Sequence, residues 1–409
     1  MNLVEKQYTS WVYPLPIEDL KKAFDDGSYR EIGDPMIEWP RYWPRKRAVG
    51  KLDILIAGCG TNQAAYYASR NRDWNVVGID LSDASLAHQQ KLKDKHNLKN
   101  LRLEKLNLLD VKSLGLTFDL IVSCGVLHHL SQPEEGLLAL KGVLRFDGVM
   151  NLMVYGTSLR IGIYMMQEVF RELGFKQTKD DVDLVRLTVD SLHPEHALKR
   201  YMKKCSDCKY DAGIVDTFLH TQDKSFYVNE VYEFTRKAGL EFVSWIDPLD
   251  YSLEDHMPPE HPLWKKISGI SLEKKAHICD LLVQEIGTHR WIAAHPSYAE
   301  KIIIPVNSME LLNCTLILNS KSKIVEKANP LIKLHAQFER YNSKFTIHYE
   351  FASILEKLNK DNSVKKIIDS MDIKVEDKEL LYKISIKEIT RLYEAGHLYV
   401  LLPNFSESK

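Results

Sequence analysis

Long apolar runs are missing from this chain: nowhere do about 18 apolar residues follow one another, the length a membrane-spanning helix needs. The opening MNLVEKQYTSWVYPLP lacks the uninterrupted apolar segment of a secretory signal. Cysteine is sparse, with Cys59, Cys124, Cys205, Cys208, Cys279 and Cys314 scattered too widely for a disulfide scaffold, so reduced thiols are the default. Net charge is nearly absent: 55 Lys plus Arg offset 56 Asp plus Glu, and no global basic field exists to attract nucleic acid or anionic lipid. Internal repeats, low-complexity tracts and Gly/Ser linkers are missing too. These absences predict a cytoplasmic protein with neither membrane nor nucleic acid among its partners.

What is present is a chain of 409 residues, 44% hydrophobic, long enough to bury one large core and a smaller one. From Lys51 to Val154, short runs (LDILIAGCG, WNVVGIDLS, LRLEKLNLLD, FDLIVSCGV, GVMNLMVYG) alternate with amphipathic stretches, the rhythm of a parallel sheet wound with helices. After Gly156 the pattern turns helical, with Ile161, Tyr164, Met165, Val169, Phe170 and Leu173 taken as one apolar face of an inserted cap reaching about residue 227. LEFVSWI and RWIAAHP are late strands able to complete the sheet, with helical sequence between them. The resulting division is 1–50 as an aromatic segment covering a ligand, 51–298 as the main domain, and 300–409 as a small C-terminal α+β module. Within that module TIHYEFASILEKL, SVKKIIDSM and ISIKEITRLYEAG read as helices before a terminal strand, a winged-helix-like order.

The segment Ile54 to Gln63 drives an apolar strand into the turn Gly58-Cys59-Gly60, where missing Cβ atoms let the backbone bend and approach a ligand. Asp80 ends the next strand, roughly 20 residues on, where a carboxylate can accept both hydroxyls of a ribose. Both features also suit a nicotinamide enzyme. A dinucleotide site, however, wants a third glycine against its pyrophosphate, and position 63 is Gln.

Taken in order, GCGTNQ, VVGIDLS and FDLIVSCGVLHHLSQPEEGLLALKGVLRFDGVMNLMVYG resemble the class I S-adenosylmethionine-dependent methyltransferases over about 105 residues. The resemblance implies an α/β Rossmann-like sheet, with S-adenosyl-L-methionine as methyl donor. It also implies that Gly58, Cys59, Gly60, Thr61 and Gln63 shape the loop around the methionine moiety and that Asp80 holds the ribose. Asn107 would meet the adenine amino group where the family usually has an acid, the Leu108 amide would face the ring, and Cys124 and Gly125 would lend backbone to the methionine end. After residue 210 the chain also weakly resembles bacterial protein-lysine methyltransferases.

Methyl transfer from a sulfonium is an in-line displacement, so candidate bases belong near the carboxyl edge of the sheet, in the cap or in the N-terminal segment. Asp216 and His220, four apart in IVDTFLH, would share a helical face, the carboxylate orienting the imidazole. His128, beside His129 after the fourth strand, and Tyr13, with Tyr8 and Trp11 in the aromatic leader, complete the candidates; an aromatic face would favour a sulfonium. The cap also carries Asp190, His193, His196, Tyr210 and Asp211. Cys205 and Cys208 are half a zinc site, and no metal is expected. WPRYWPRKR is a linker or an anion contact.

Three functions follow: methylation of a small molecule at O, N or S, favoured by an enclosing cap; protein-lysine methylation; and non-catalytic adenosylmethionine binding with a regulatory C-terminal module. Lys387 and Arg391 are offset by Glu388 and Glu394, which argues against DNA reading, and a homodimer through 300–409 stays open.

Overall fold

The computed structural model describes residues 3–258, 260–267, 269–320, 322–327, 331–337, 342–359 and 362–403. Five strands appear where the apolar runs predict them: β1 (Asp53–Ala57), β2 (Asn75–Asp80), β3 (Leu101–Lys105), β4 (Phe118–Cys124) and β5 (Leu144–Gly156). β6 (Ser225–Phe226), β7 (Glu241–Trp245) and β8 (Thr288–Ala294) complete an eight-stranded sheet in the order β3-β2-β1-β4-β5-β8-β7, with β6 beside β5. β1 pairs in parallel with β2 and β4, β2 with β3, and β5 with β4 and β6, whereas β5 and β8 are antiparallel. Ile54, Leu55 and Ile56 are fully buried, as befits a central strand covered on both faces. Strand order reverses at β1, between β2 and β4, and such a sheet opens its ligand crevice at the carboxyl ends there.

By internal packing the residues form two compact units. One comprises 1–34, 50–242 and 280–298, and holds the cap helices Thr157–Glu172, Lys179–Ser191, Ala197–Met202 and Asp211–Phe218. Their shared core includes Ile163, Met166, Phe170, Val185, Ile214 and Phe218. The first cap helix therefore turns a different face inward from the one its spacing predicts: Ile161, Met165, Val169 and Leu173 are 41–68% exposed. Apolar residues occupy both faces of that helix, so periodicity alone does not fix its rotation.

The other unit joins 35–49, 243–279 and 299–409. The expected helices are Tyr349–Lys357, Val364–Asp369 and Val375–Glu394. The terminal strand β13 (Leu398–Leu401) pairs antiparallel with β9 (Thr315–Leu318). A three-stranded antiparallel sheet, β10 (Ser322–Lys327), β11 (Leu331–Gln337) and β12 (Asn342–His348), was not foreseen, and it claims the TIH that had been read as the start of a helix. WPRYWPRKR belongs to this unit. Arg45 donates to the Lys301 and Pro403 carbonyls, Arg47 donates to that of Leu402, and Arg41 lies over the Tyr399 ring.

Candidate active site

At the end of β1, Gly58 and Gly60 take φ of +76° and +52°, in the left-handed region that favours glycine. A Cβ on Gly58 would lie 2.2 Å from Val126 Cγ2, so close packing against the β4 loop requires glycine there. The Gly60 and Ser82 amides donate to the two oxygens of Asp80, each at 2.8 Å, fixing that carboxylate between loop and helix. Burial pushes the Asp80 pKa up, against the pull of these amides. The carboxylate keeps accepting capacity for a ribose hydroxyl.

The other loop residues divide by role. The Cys59 side chain is buried, leaving only backbone to face a ligand. Thr61 and Asn62 face the N-terminal segment: Thr61 Oγ1 donates to the Pro14 carbonyl at 3.0 Å, Asn62 Nδ2 to that of Leu15 at 3.0 Å, and Asn62 Oδ1 accepts from the Ile17 amide at 2.9 Å. Ser82 Oγ donates to the Tyr8 carbonyl at 3.1 Å. The leader thus lies across the loop, held by residues of the loop itself. Asn107 caps a 3₁₀ turn, its side-chain oxygen accepting from the Leu109 amide, which leaves one lone pair for an adenine amino group. Leu108 is buried beneath that turn.

Two residues that sequence reasoning missed complete this end. Gln63 Nε2 donates to Glu31 Oε2 at 2.8 Å, and Arg290 Nη1 approaches Cys124 Sγ at 3.8 Å, next to Gly125 with its φ of +77°. Register explains the second contact, since Cys124, Met153 and Arg290 lie abreast across β4, β5 and β8. A lone arginine inside the apolar RWIAA was the available signal; nothing local marks Glu31. Burial pushes the Glu31 carboxyl and the Cys124 thiol up, the latter to about 11. Arg290 Nε is buried with no partner among the described residues. One acid for a vicinal diol, one cation for a carboxylate and one acid for an ammonium fit an adenosyl amino acid.

A second cluster gathers at the carboxyl edge of β4 and β5. The cap helix ends at Phe218, so Asp216 and His220 do not share a helical face as expected; the Tyr8 hydroxyl stands between them. It donates to Asp216 Oδ1 at 2.8 Å and lies 3.4 Å from His220 Nε2, while Tyr155 donates to Asp216 Oδ2 at 3.0 Å. His220 Nδ1 accepts from the Gln222 amide at 3.0 Å, so a neutral ring carries its proton on Nε2. Burial drives its pKa down to about 2. His220 is therefore a donor toward Tyr8 and not a base. His129 has the opposite tautomer: Nδ1 lies 3.1 Å from the Gln222 carbonyl and must donate, which leaves the Nε2 lone pair open.

His128 is fully buried between His129 and Tyr155, at ring distances of 4.1 and 3.9 Å, and neither ring nitrogen has a partner among the described residues. Burial pushes its pKa well down, which favours the neutral ring. Tyr13 donates to Asp207 Oδ2 at 2.9 Å and stacks on Tyr210; burial keeps its hydroxyl protonated, making it a wall residue. His129, Asp216 and His220 bring potential metal ligands within 4.8 Å of one another, yet the protonated His220 Nε2 opposes a cation there. His193 and His196 accept from the nearby Glu195 and Leu198 amides, and neither joins the cysteine pair in a metal-ligand group among the described residues.

A sheet reversing at a glycine turn, with an acid on the next strand, fits an adenosylmethionine-binding domain. Residues 55–150 match the family model described as a methyltransferase domain, and the chain carries a class I S-adenosylmethionine-dependent methyltransferase domain. It is 27% identical over 292 residues to an uncharacterised protein of Synechococcus sp., covering 68% of each chain. It is 32% identical over 111 residues to a tRNA U34 carboxymethyltransferase of Pseudoalteromonas translucida, 27% of this chain and 34% of that one, so it spans about a third of that relative's length. The structure of PKMT2 from Rickettsia typhi shares the fold at a TM-score of 0.62 and 14% identity, covering 95% of this chain and 78% of that one.

Proposed function

We propose that the protein methylates a nitrogen nucleophile, an amine that enters as its ammonium ion and loses a proton before attack. The observation that carries this is the direction of the protons around Asp216. His220 Nε2–H points to Tyr8, Tyr8 donates to Asp216, and Tyr155 donates to Asp216 from the other side. A buried carboxylate set among tyrosine rings attracts a cation, and its raised pKa makes it a better proton acceptor than an exposed one.

Asp80 would hold the ribose diol, Arg290 the methionine carboxylate and Glu31 the ammonium. Bound there, the cofactor supplies an electrophilic methyl on a sulfonium. Asp216 positions the amine and takes its proton, the open Nε2 of His129 is the next acceptor, and Tyr13, Tyr210 and the cap exclude water.

The cap favours a small-molecule amine. A second reading is the lysine side chain of a protein, supported by the fold shared with PKMT2 over nearly the whole chain. Both present the same reacting atom. The tRNA-modifying relatives match only about a quarter of this chain, and so bear on donor binding rather than on the acceptor. The test is incubation with methyl-labelled adenosylmethionine against amines, phenols, thiols and whole-cell protein. Label in extractable amines supports the first reading, label in protein lysine the second, and label confined to phenols or thiols would refute the nitrogen assignment.

A further inference from the structure

Cys205 and Cys208 take no part in the chemistry above. They lie between the cap helices Ala197–Met202 and Asp211–Phe218 as Cys-Ser-Asp-Cys, sulfur to sulfur at 2.6 Å. Their surroundings differ. Cys208 is buried, with Sγ 3.9 Å from Thr217 Oγ1, whereas Cys205 is only half-buried. The Cys208 amide donates to Cys205 Sγ at 3.3 Å. The intervening turn is pinned, because a Cβ on Gly213 would lie 1.9 Å from the Asp207 carbonyl oxygen, and Asp207 also accepts from Tyr13. The two sulfurs are thus held in register by backbone packing, Cys205 half-buried at the edge of the cap core and Cys208 buried within it.

We propose that Cys205 and Cys208 form a redox-active dithiol that exchanges with low-molecular-weight disulfides and closes to an intramolecular disulfide. The Cys205 thiolate attacks one sulfur of the small disulfide, forming a mixed disulfide and expelling one thiolate. Cys208 then gives up its proton and attacks Cys205 Sγ, expelling the second small thiol. Two protein thiols are oxidised, one small disulfide is reduced, and atoms and electrons balance. The local polarity fits this order of attack. The Cys208 thiol's hydrogen bond is the main cause holding Cys205 down to about 7, and the same contact together with burial pushes Cys208 up. At neutral pH the Cys205 thiolate fraction is then roughly fifteenfold that of a free thiol of pKa about 8.5.

The experiment equilibrates the full-length protein with reduced and oxidised glutathione, quenches with a maleimide and maps modified peptides by mass. The expected result is loss of two hydrogens confined to Cys205 and Cys208, reversed by dithiothreitol. Cys208→Ser should trap glutathione on Cys205, Cys205→Ser should leave Cys208 unmodified, and Cys205 should label about tenfold faster than Cys124 at pH 7. The wild-type reversal stands as a test even if a variant fails to fold. No disulfide at any glutathione ratio, equal labelling of the two thiols, or zinc in stoichiometric amount protecting both from maleimide would each overturn the proposal.

Discussion

At the scale of single residues, Asp216, the proposed proton acceptor, is held at a cost. Burial raises its pKa above the ordinary 3.8 despite the donors around it. Because the folded value exceeds the unfolded one, the stability linked to its protonation is fully present at low pH and is lost as pH rises through the folded value. At neutral pH the carboxylate is therefore a burden on the fold. Asp216→Asn should lower turnover by about 10²–10⁴-fold while leaving Tm unchanged or raised at pH 7. Melting curves beside steady-state rates check this, and undiminished turnover would remove Asp216 from the reaction. In the wild type, kcat/KM should fall as pH drops through that raised value. His220→Gln should keep this acid limb, since His220 is already neutral. At the donor end, Arg290→Met should weaken adenosylhomocysteine binding roughly ten- to hundredfold, the range for losing a charged hydrogen bond. Calorimetry reads it directly, and an unchanged Kd would mean that Arg290 faces no carboxylate.

At the scale of elements, the cap depends on one backbone approach. Gly162, in the first cap helix, lies where a Cβ would sit 2.2 Å from the Leu198 amide nitrogen, so the helices Thr157–Glu172 and Ala197–Met202 meet backbone to backbone. Gly162→Ala should destabilise the protein by about 1–3 kcal/mol, visible as a lower midpoint in urea. A wild-type midpoint would show that the cap tolerates a wider crossing. The sheet was legible because buried parallel strands are written as apolar runs, and β1 to β5 fell where those runs stand. The glycine turn and Asp80 were legible because each works through local backbone geometry. The rotation of the first cap helix was not, since both faces carry apolar residues. Nor was the role of His220, which depends on a Gln222 amide and on Tyr8, 212 positions away. Arg290 likewise becomes a neighbour of Cys124 only through strand order and register, and Glu31 reaches Gln63 from a coil segment with no local signal.

At the scale of the molecule, the second unit is assembled from three stretches of chain. Arg391 forms paired bonds to Glu254, Arg41 lies over Tyr399, and Gly396 with its φ of +74° abuts Pro248. Residues 300–409 alone would lose these contacts and uncover core side chains such as Leu398 and Leu392. That fragment should give no cooperative melt, whereas a sharp transition by circular dichroism would restore it as a separate domain. The leader laid across the glycine loop has a consequence in time. Its bonds through Thr61, Asn62 and Ser82 join residues 8–17 to the loop beside Asp80, which predicts that departure of spent cofactor waits for that strap to open. Asn62→Ala removes two of the bonds, worth about 1–3 kcal/mol together, and should speed adenosylhomocysteine release roughly five- to hundredfold in stopped flow. If release is as slow as in the wild type, the strap does not gate the exit; if it quickens, the residence time of the product is set by ten residues at the start of the chain.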